Sequence, residues 1–383
     1  MKKTMYRRDA LKGIALAGAW GAGVLAAQEM TRTFRMGFTP FPLEQTVDGW
    51  TRAFQTISRH GDLTALFIQD GLPWEHAFDG KAVREYPSGI RAFLEFQLEL
   101  IRAVTPSQAR YLAFNPLSVD YRGLAASWTD EINEPLLYPW NTYDLDHAHV
   151  KQVITNHLRA LVDFFEPQYL NVGIEVNILL ARNFDHWPAY LDLHRHLYTE
   201  LKKSYPKLPV FTSIQYEHLL GLHGDSIRLR DRLSETYPDV LINEVKKLLQ
   251  YSDILAISTY PHMIEHLKID AAYYGTAKEL AQERRIPLAV DQTGFSSVPL
   301  QILGIELPGS EAAQEQFIGF ILREAVTGNF QFVVNFIPVD YGTAYGVDPV
   351  ALSWAYTGMY RPDGTPKPAL SVWDAVRASR FQS

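Results

Sequence analysis

Eight short apolar runs, rich in β-branched and aromatic residues, alternate with stretches of helical spacing, and this alternation sets the strongest constraint on the chain. The runs are "TFRMGFTP" (33–40), "LTALFIQ" (63–69), "ARYLAFN" (109–115), "YLNVGIEVN" (169–177), "PVFTSIQ" (209–215), "ILAISTY" (254–260), "PLAVDQTG" (287–294) and "QFVVNFIP" (331–338). Helix-period segments fall between them at 48–59, 89–104, 147–165, 187–204, 243–250, 271–284 and 311–327. Strands that alternate with helices form parallel sheets, and eight such units with no linker-like break predict one α/β domain, a (β/α)8 TIM barrel over residues 27–383. An open doubly wound sheet shares the alternation and is the other architecture the pattern allows.

The first 26 residues stand outside this pattern. They carry "RRDALK", with Arg7, Arg8 and Lys12, then a small-residue apolar run from Ile14 to Ala27. The segment resembles a twin-arginine signal peptide with Val24-Leu25-Ala26 as its cleavage signal, and it is short for a membrane span of roughly 20 apolar residues. That implies passage through the twin-arginine export machinery, a periplasmic or secreted product, and no membrane association after removal. Of 36 Lys and Arg and 43 Asp and Glu, the segment takes five bases and one acid, leaving 31 against 42 and a net charge of −11. Such a surface repels nucleic acid and anionic lipid. The chain has no cysteine, so disulfides and thiolate metal sites are excluded, while an oxidising compartment is tolerated.

Polar and ionisable residues gather where each run gives way to its loop: Gln69 and Asp70, Asn115, Glu175 with Asn177, Gln215 with Glu217, Tyr260 with His262, Asp291 with Gln292, and Asn335 followed by Asp340. In a barrel these strand ends form the face on which active sites are built. Alternation along a strand sorts them further. In 169–177 Leu170, Val172, Ile174 and Val176 share one face, and Asn171, Gly173, Glu175 and Asn177 the other. Phe211, Ser213, Gln215 and Glu217 face one way in the fifth run, and Ala289 with Asp291 in the seventh. Glu175 and Asp291 are thereby expected to point into the mouth from strands four and seven. A facing pair of carboxylates is the equipment of glycoside hydrolysis, in which one protonates the leaving oxygen and the other attacks the sugar or activates water.

Those positions carry a resemblance. An acid on strand four and another on strand seven is the arrangement of the clan A glycoside hydrolases, and the mature chain most resembles the galactanase-type family 53. "VGIEVN" is similar to that family's Gly-Asn-Glu segment, "VDQTGF" to its Glu-Thr-Gly segment, and "TGMYRPDGTPKPAL" (357–370) to the stretch leading into the last helix. The resemblance implies Glu175 as general acid/base and β-linked plant galactans as substrates. It also exposes two departures: Ile174 stands where the family has asparagine, and Gln292 where it has the glutamate nucleophile, with Asp291 one place earlier. A bulge would bring Asp291 inward. Glu217 and Asp340 are the other acids available as a base for water.

Two functions follow as expectations. One is a glycosidase acting on a poly- or oligosaccharide through Glu175 and Asp291, with no cofactor. The other is a carbohydrate-binding pseudoenzyme that lost its nucleophile at Gln292. In either case Asn177, Gln292, Gln215, Glu217, Tyr260, Asn115, Asn335 and Asp340 are candidate sugar contacts. The long connection from 115 to 146, holding Tyr121, Trp128, Tyr138, Trp140 and Tyr143, is a candidate lid or binding surface. Trp128, Trp140, Trp187 and Trp354 have rings able to stack on sugars. The pairs His147/His149 and His194/His196 have the wrong spacing for a helical metal site.

Overall fold

Parallel strands follow one another around a ring: β1 (Arg35–Phe38), β2 (Leu63–Ile68), β3 (Ala109–Phe114), β4 (Tyr169–Asn171), β5 in two pieces (Val210–Phe211 and Ser213–Gln215), β6 (Leu255–Thr259), β7 (Leu288–Thr293) and β8 (Phe330–Asn335). Each pairs in parallel with the next, and β8 pairs with β1. The sheet's two ends are the two pieces of β5, so the ring closes through that strand's own backbone at Thr212. The computed structural model describes residues 31–382 except 227, 228, 230–238, 265–267 and 303, and the export segment expected over 1–26 lies outside them.

A helix follows every strand: α1 (Val47–His60), α2 (Ser88–Val104), α3 (Ala148–Phe165), α4 (Trp187–Ser204), α5 (Asp239–Leu248), α6 (Gly275–Arg284), α7 (Glu311–Thr327) and α8 (Pro368–Arg377). Their starts obey local chemistry. Thr46 caps α1 by accepting from the Gly49 amide, and Ser310 caps α7 by accepting from Ala313, each satisfying a donor the helix leaves open. The barrel expected from the alternation is therefore the one observed, and the segment 357–370 does lead into the last helix.

Alternation divides the core in two. Leu112, Phe114, Leu288, Val290 and Val333 point outward against the helices, while Tyr111, Phe211, Ala289, Phe332 and Val334 fill the barrel interior. The rings of Tyr111 and Phe332 lie 4.9 Å apart, and those of Tyr111 and Phe211 5.9 Å apart. Alanines at 65, 109, 113, 256 and 289 leave room for them, so large and small side chains interlock. Buried Arg32 pairs with partly exposed Asp62, and Thr31–Arg32 pairs with Arg380–Phe381 to tie the described ends together.

Candidate active site at the barrel mouth

Strand four departs from the expected run. It ends at Asn171, and the chain then turns through residues 172–176 into a short helix, Asn177–Arg182. Gly173 makes this turn possible, since a Cβ there would fall 2.3 Å from the Tyr190 hydroxyl and 2.8 Å from Thr212 Oγ1. Glu175 takes a left-handed conformation, φ 50°, which L side chains adopt at a cost of about 1–3 kcal/mol. The expected alternation therefore breaks: Ile174 enters the barrel interior, while Leu170, Val172 and Val176 remain outside.

The turn delivers the Glu175 carboxyl to the mouth, half-buried. Its backbone N–H donates to Ser213 Oγ at 3.1 Å. Ser258 Oγ donates to Oε1, and the Tyr121 hydroxyl lies 3.4 Å from Oε2. Burial pushes this carboxyl up to about 7, against the two hydroxyl donors, and the nearby charge of Glu217 adds to the rise. Glu175 is thus poised to hold a proton near neutrality and to release it.

Strand seven carries the bulge. Ile257 pairs with Val290, yet Ser258 pairs with Gln292, so Asp291 is the extra residue. Asp291 turns inward, fully buried with both oxygens closed to solvent, beside the Ser213 hydroxyl and the Tyr111 phenol of the barrel interior. Burial holds it well above the usual carboxylate range against the Ser213 hydroxyl, and the Glu175 charge adds to the rise. Gln292, next along the strand, is buried too but keeps slight exposure, and the Tyr260 hydroxyl donates to its Oε1 at 3.0 Å. Because Ser258 both pairs with Gln292 and bonds Glu175, the amide and the acid share one small patch of the opening.

The other strand-end residues are held by partners within the fold. Asn177 donates to the Gln215 carbonyl at 2.9 Å and accepts from its amide at 2.7 Å. The Gln215 side chain donates to Glu217 at 2.5 Å and accepts from His218 N at 2.6 Å. Glu217 is fully buried and also receives Thr259 Oγ1 and the Tyr273 hydroxyl, each at 2.6 Å, and the Tyr260 amide at 3.3 Å. Asp340 is paired with buried Lys367 at 2.7 Å, and burial lifts it to about 6 against that cation. Asn335 donates to the carbonyls of Ile337 and Thr357, and Asn115 accepts from Leu117 N. Strands that splay into loops leave backbone groups unpaired, and these side chains satisfy them.

Trp354 does reach the mouth, half-buried, its ring 6.0 Å from Tyr260 and 5.8 Å from Phe336. Trp128 lines a cleft of about 440 Å³ beside β1, β2 and β8, with Trp50, Phe67, Asp70, Gln97 and Phe336. Trp140 and Trp187 lie in the core, their indoles bonded to Glu75 and Glu244. The connection after β3 brings Tyr121 over Glu175 and is clipped to the β4 loop: Arg182 donates to the Asp120 carbonyl and Asn183 to that of Arg122.

This architecture has known counterparts among solved structures. A fungal β-1,4-galactanase superposes with a TM-score of 0.52 at 13% identity, covering 89% of this chain and 94% of its own. A GH5_18 protein from Bifidobacterium longum subsp. infantis gives 0.60 at 13% identity, covering 92% and 80%. The fold is the (β/α)8 barrel that these glycoside hydrolase structures share. An exo-β-1,4-mannosidase from Opitutaceae bacterium strain TAV5 also matches, at 0.57 and 13% identity, over 91% of this chain and 60% of the mannosidase. No protein-family model and no curated protein matches the sequence. Within this barrel, sequence reasoning overlooked Ser258, although alternation back from Tyr260 puts Ala256, Ser258 and Tyr260 on the inner face.

Proposed function

We propose that the chain is an exported glycoside hydrolase that cleaves O-glycosidic bonds of a poly- or oligosaccharide, with Glu175 as the proton donor to the leaving oxygen. One observation carries the reading: a half-buried carboxyl at the mouth, held by Ser258 and Tyr121, with its proton affinity raised to about 7. A general acid works best when its pKa lies near the working pH. Trp354 and the cleft beside Trp128 offer aromatic faces to sugar rings along the approach. The fold shared with galactanase and mannosidase barrels supports the same reaction class.

The test is release of reducing ends from a broad panel of α- and β-linked glycans by residues 27–383. Turnover that falls about 10²–10⁴-fold in Glu175→Gln supports the assignment. Absence of cleavage across the panel, or full activity in Glu175→Gln, refutes it. A second reading is a sugar-binding protein without turnover, favoured by the amide of Gln292 and by the closure of Asp291 to solvent. Calorimetric binding of a glycan that is never cleaved would establish that reading instead. The export assignment has its own test: Arg7→Lys with Arg8→Lys should keep the protein in the cytoplasm, and unchanged export would contradict it.

A further inference from the structure

Cleavage with a glutamate acid leaves open what attacks the sugar carbon. A retaining hydrolase needs a nucleophile facing its acid across the scissile bond, and the described acids near Glu175 do not offer one. Asp291 is fully closed to solvent and held beside Ser213 and Tyr111 in the barrel interior. Glu217 is fully buried and receives four hydrogen bonds. Asp340 is bound to Lys367, and Asp70 lines the neighbouring cleft between β1 and β2. The group beside Glu175 on strand seven is an amide.

That amide is half-spent. Tyr260 occupies Gln292 Oε1, while Nε2 makes no hydrogen bond among the described residues and is not among the atoms closed to solvent. Burial and the surrounding carboxylates hold the Tyr260 phenol in its neutral, donating form, which fixes the orientation of the Gln292 side chain. Ser258 links the patch to the acid. A free amide N–H cannot attack a sugar carbon, but it can hold a carbonyl oxygen in place.

We propose, building on the Glu175 assignment above, that the substrate is a 2-acetamido sugar glycoside and that its own acetamido oxygen is the nucleophile. Gln292 Nε2 donates to that oxygen and orients it toward C1. In the first step the acetamido oxygen forms a bond to C1 as the glycosidic C–O bond breaks, and the Glu175 proton passes to the leaving oxygen. The product is an oxazolinium ion facing a Glu175 carboxylate. In the second step water adds to C1 and gives its proton to Glu175, while the C1 bond to the acetamido oxygen breaks and the acetamido group is restored. Each atom and charge is returned, and no further reagent is needed. The placement of an acyl oxygen within the substrate gains the rate advantage of an intramolecular attack.

The experiment compares nitrophenyl 2-acetamido-2-deoxy glycosides with their 2-hydroxy counterparts on residues 27–383. The acetamido series should give kcat/KM about 100-fold or more above the hydroxy series, with the anomeric configuration retained. A thiazoline analogue of the acetamido sugar should bind competitively, and calorimetry reads this without turnover. Gln292→Glu, which installs a carboxylate nucleophile, should reverse the preference toward 2-hydroxy glycosides. Equal or better turnover of 2-hydroxy glycosides by the unaltered protein overturns the proposal while leaving Glu175 as the acid. Failure to cleave either series, together with no thiazoline binding, overturns it along with the hydrolase reading.

Discussion

Glu175 carries two costs at one position: a left-handed backbone and a carboxyl that burial drives toward its neutral form. The two separate by substitution. Glycine accepts a positive φ without a Cβ penalty, so Glu175→Gly should be more stable than Glu175→Ala by about 1 kcal/mol, measured by denaturant midpoint. Equal stability would mean that the turn relaxes without strain. In kinetics the same residue should set the alkaline limb. The proton-loaded form predominates below about 7, so kcat/KM should fall as pH rises through that value, and the limb should vanish in Glu175→Gln. Asp340 shows how a similar carboxyl is used for structure: Lys367 holds it, and the Gly358 amide donates to it at 2.8 Å.

At the level of elements, seven of the eight strands and the first seven helices were legible because periods of two and 3.6 are direct consequences of backbone geometry, while the last helix was reached only through the resemblance over 357–370. The fourth was legible only as far as Asn171. Beyond it, a left-handed residue and the close approach of Gly173 to Tyr190 and Thr212 redirect the chain, and neither leaves a periodic trace. The bulge that turns Asp291 inward matched expectation, but its depth did not follow from alternation, which gives direction and not height in the barrel. Nor does alternation give the partners of the polar strand ends: Asn177, Gln215 and Asp340, expected as sugar contacts, are held by local backbone and ionic partners. The connection after β3 is bonded along much of its length, through Leu72 to Ala126 and Trp128, Ile90 to Thr129 and Trp140 to Glu75, and at its Tyr121 end Arg182 is central: it also pairs with Asp225 at 2.8 Å and lies 6.0 Å from the Tyr121 ring. Arg182→Ala should raise KM several-fold and speed proteolysis within 116–146, with kcat changing less; unaltered proteolysis would show that the loop is held elsewhere.

For the whole molecule, the rings of Tyr111, Phe211 and Phe332 pack against one another in the barrel interior. Phe332→Ala removes a fully buried ring and should cost about 3–5 kcal/mol by denaturant unfolding. Stability against pH is set by opposing groups. Glu175, Glu217, Asp291 and Asp340 have raised folded pKa values, so each favours folding at the acid end and loses that contribution as pH rises. Buried His157, His194 and His262, lowered to about 3, 4 and 4, act in the other direction, adding stability as pH rises toward 6.5. The difference between Glu175→Gln and the unaltered protein isolates one group: the variant should gain relative stability as pH climbs from 4.5 to about 7. The claim beneath all of this is that Glu175 keeps its proton near neutral pH, and infrared difference titration of its carboxyl, with Glu175→Gln as the subtraction, measures that directly. A midpoint near 7 is the predicted result; a midpoint in the ordinary range near 4.5 would contradict the account.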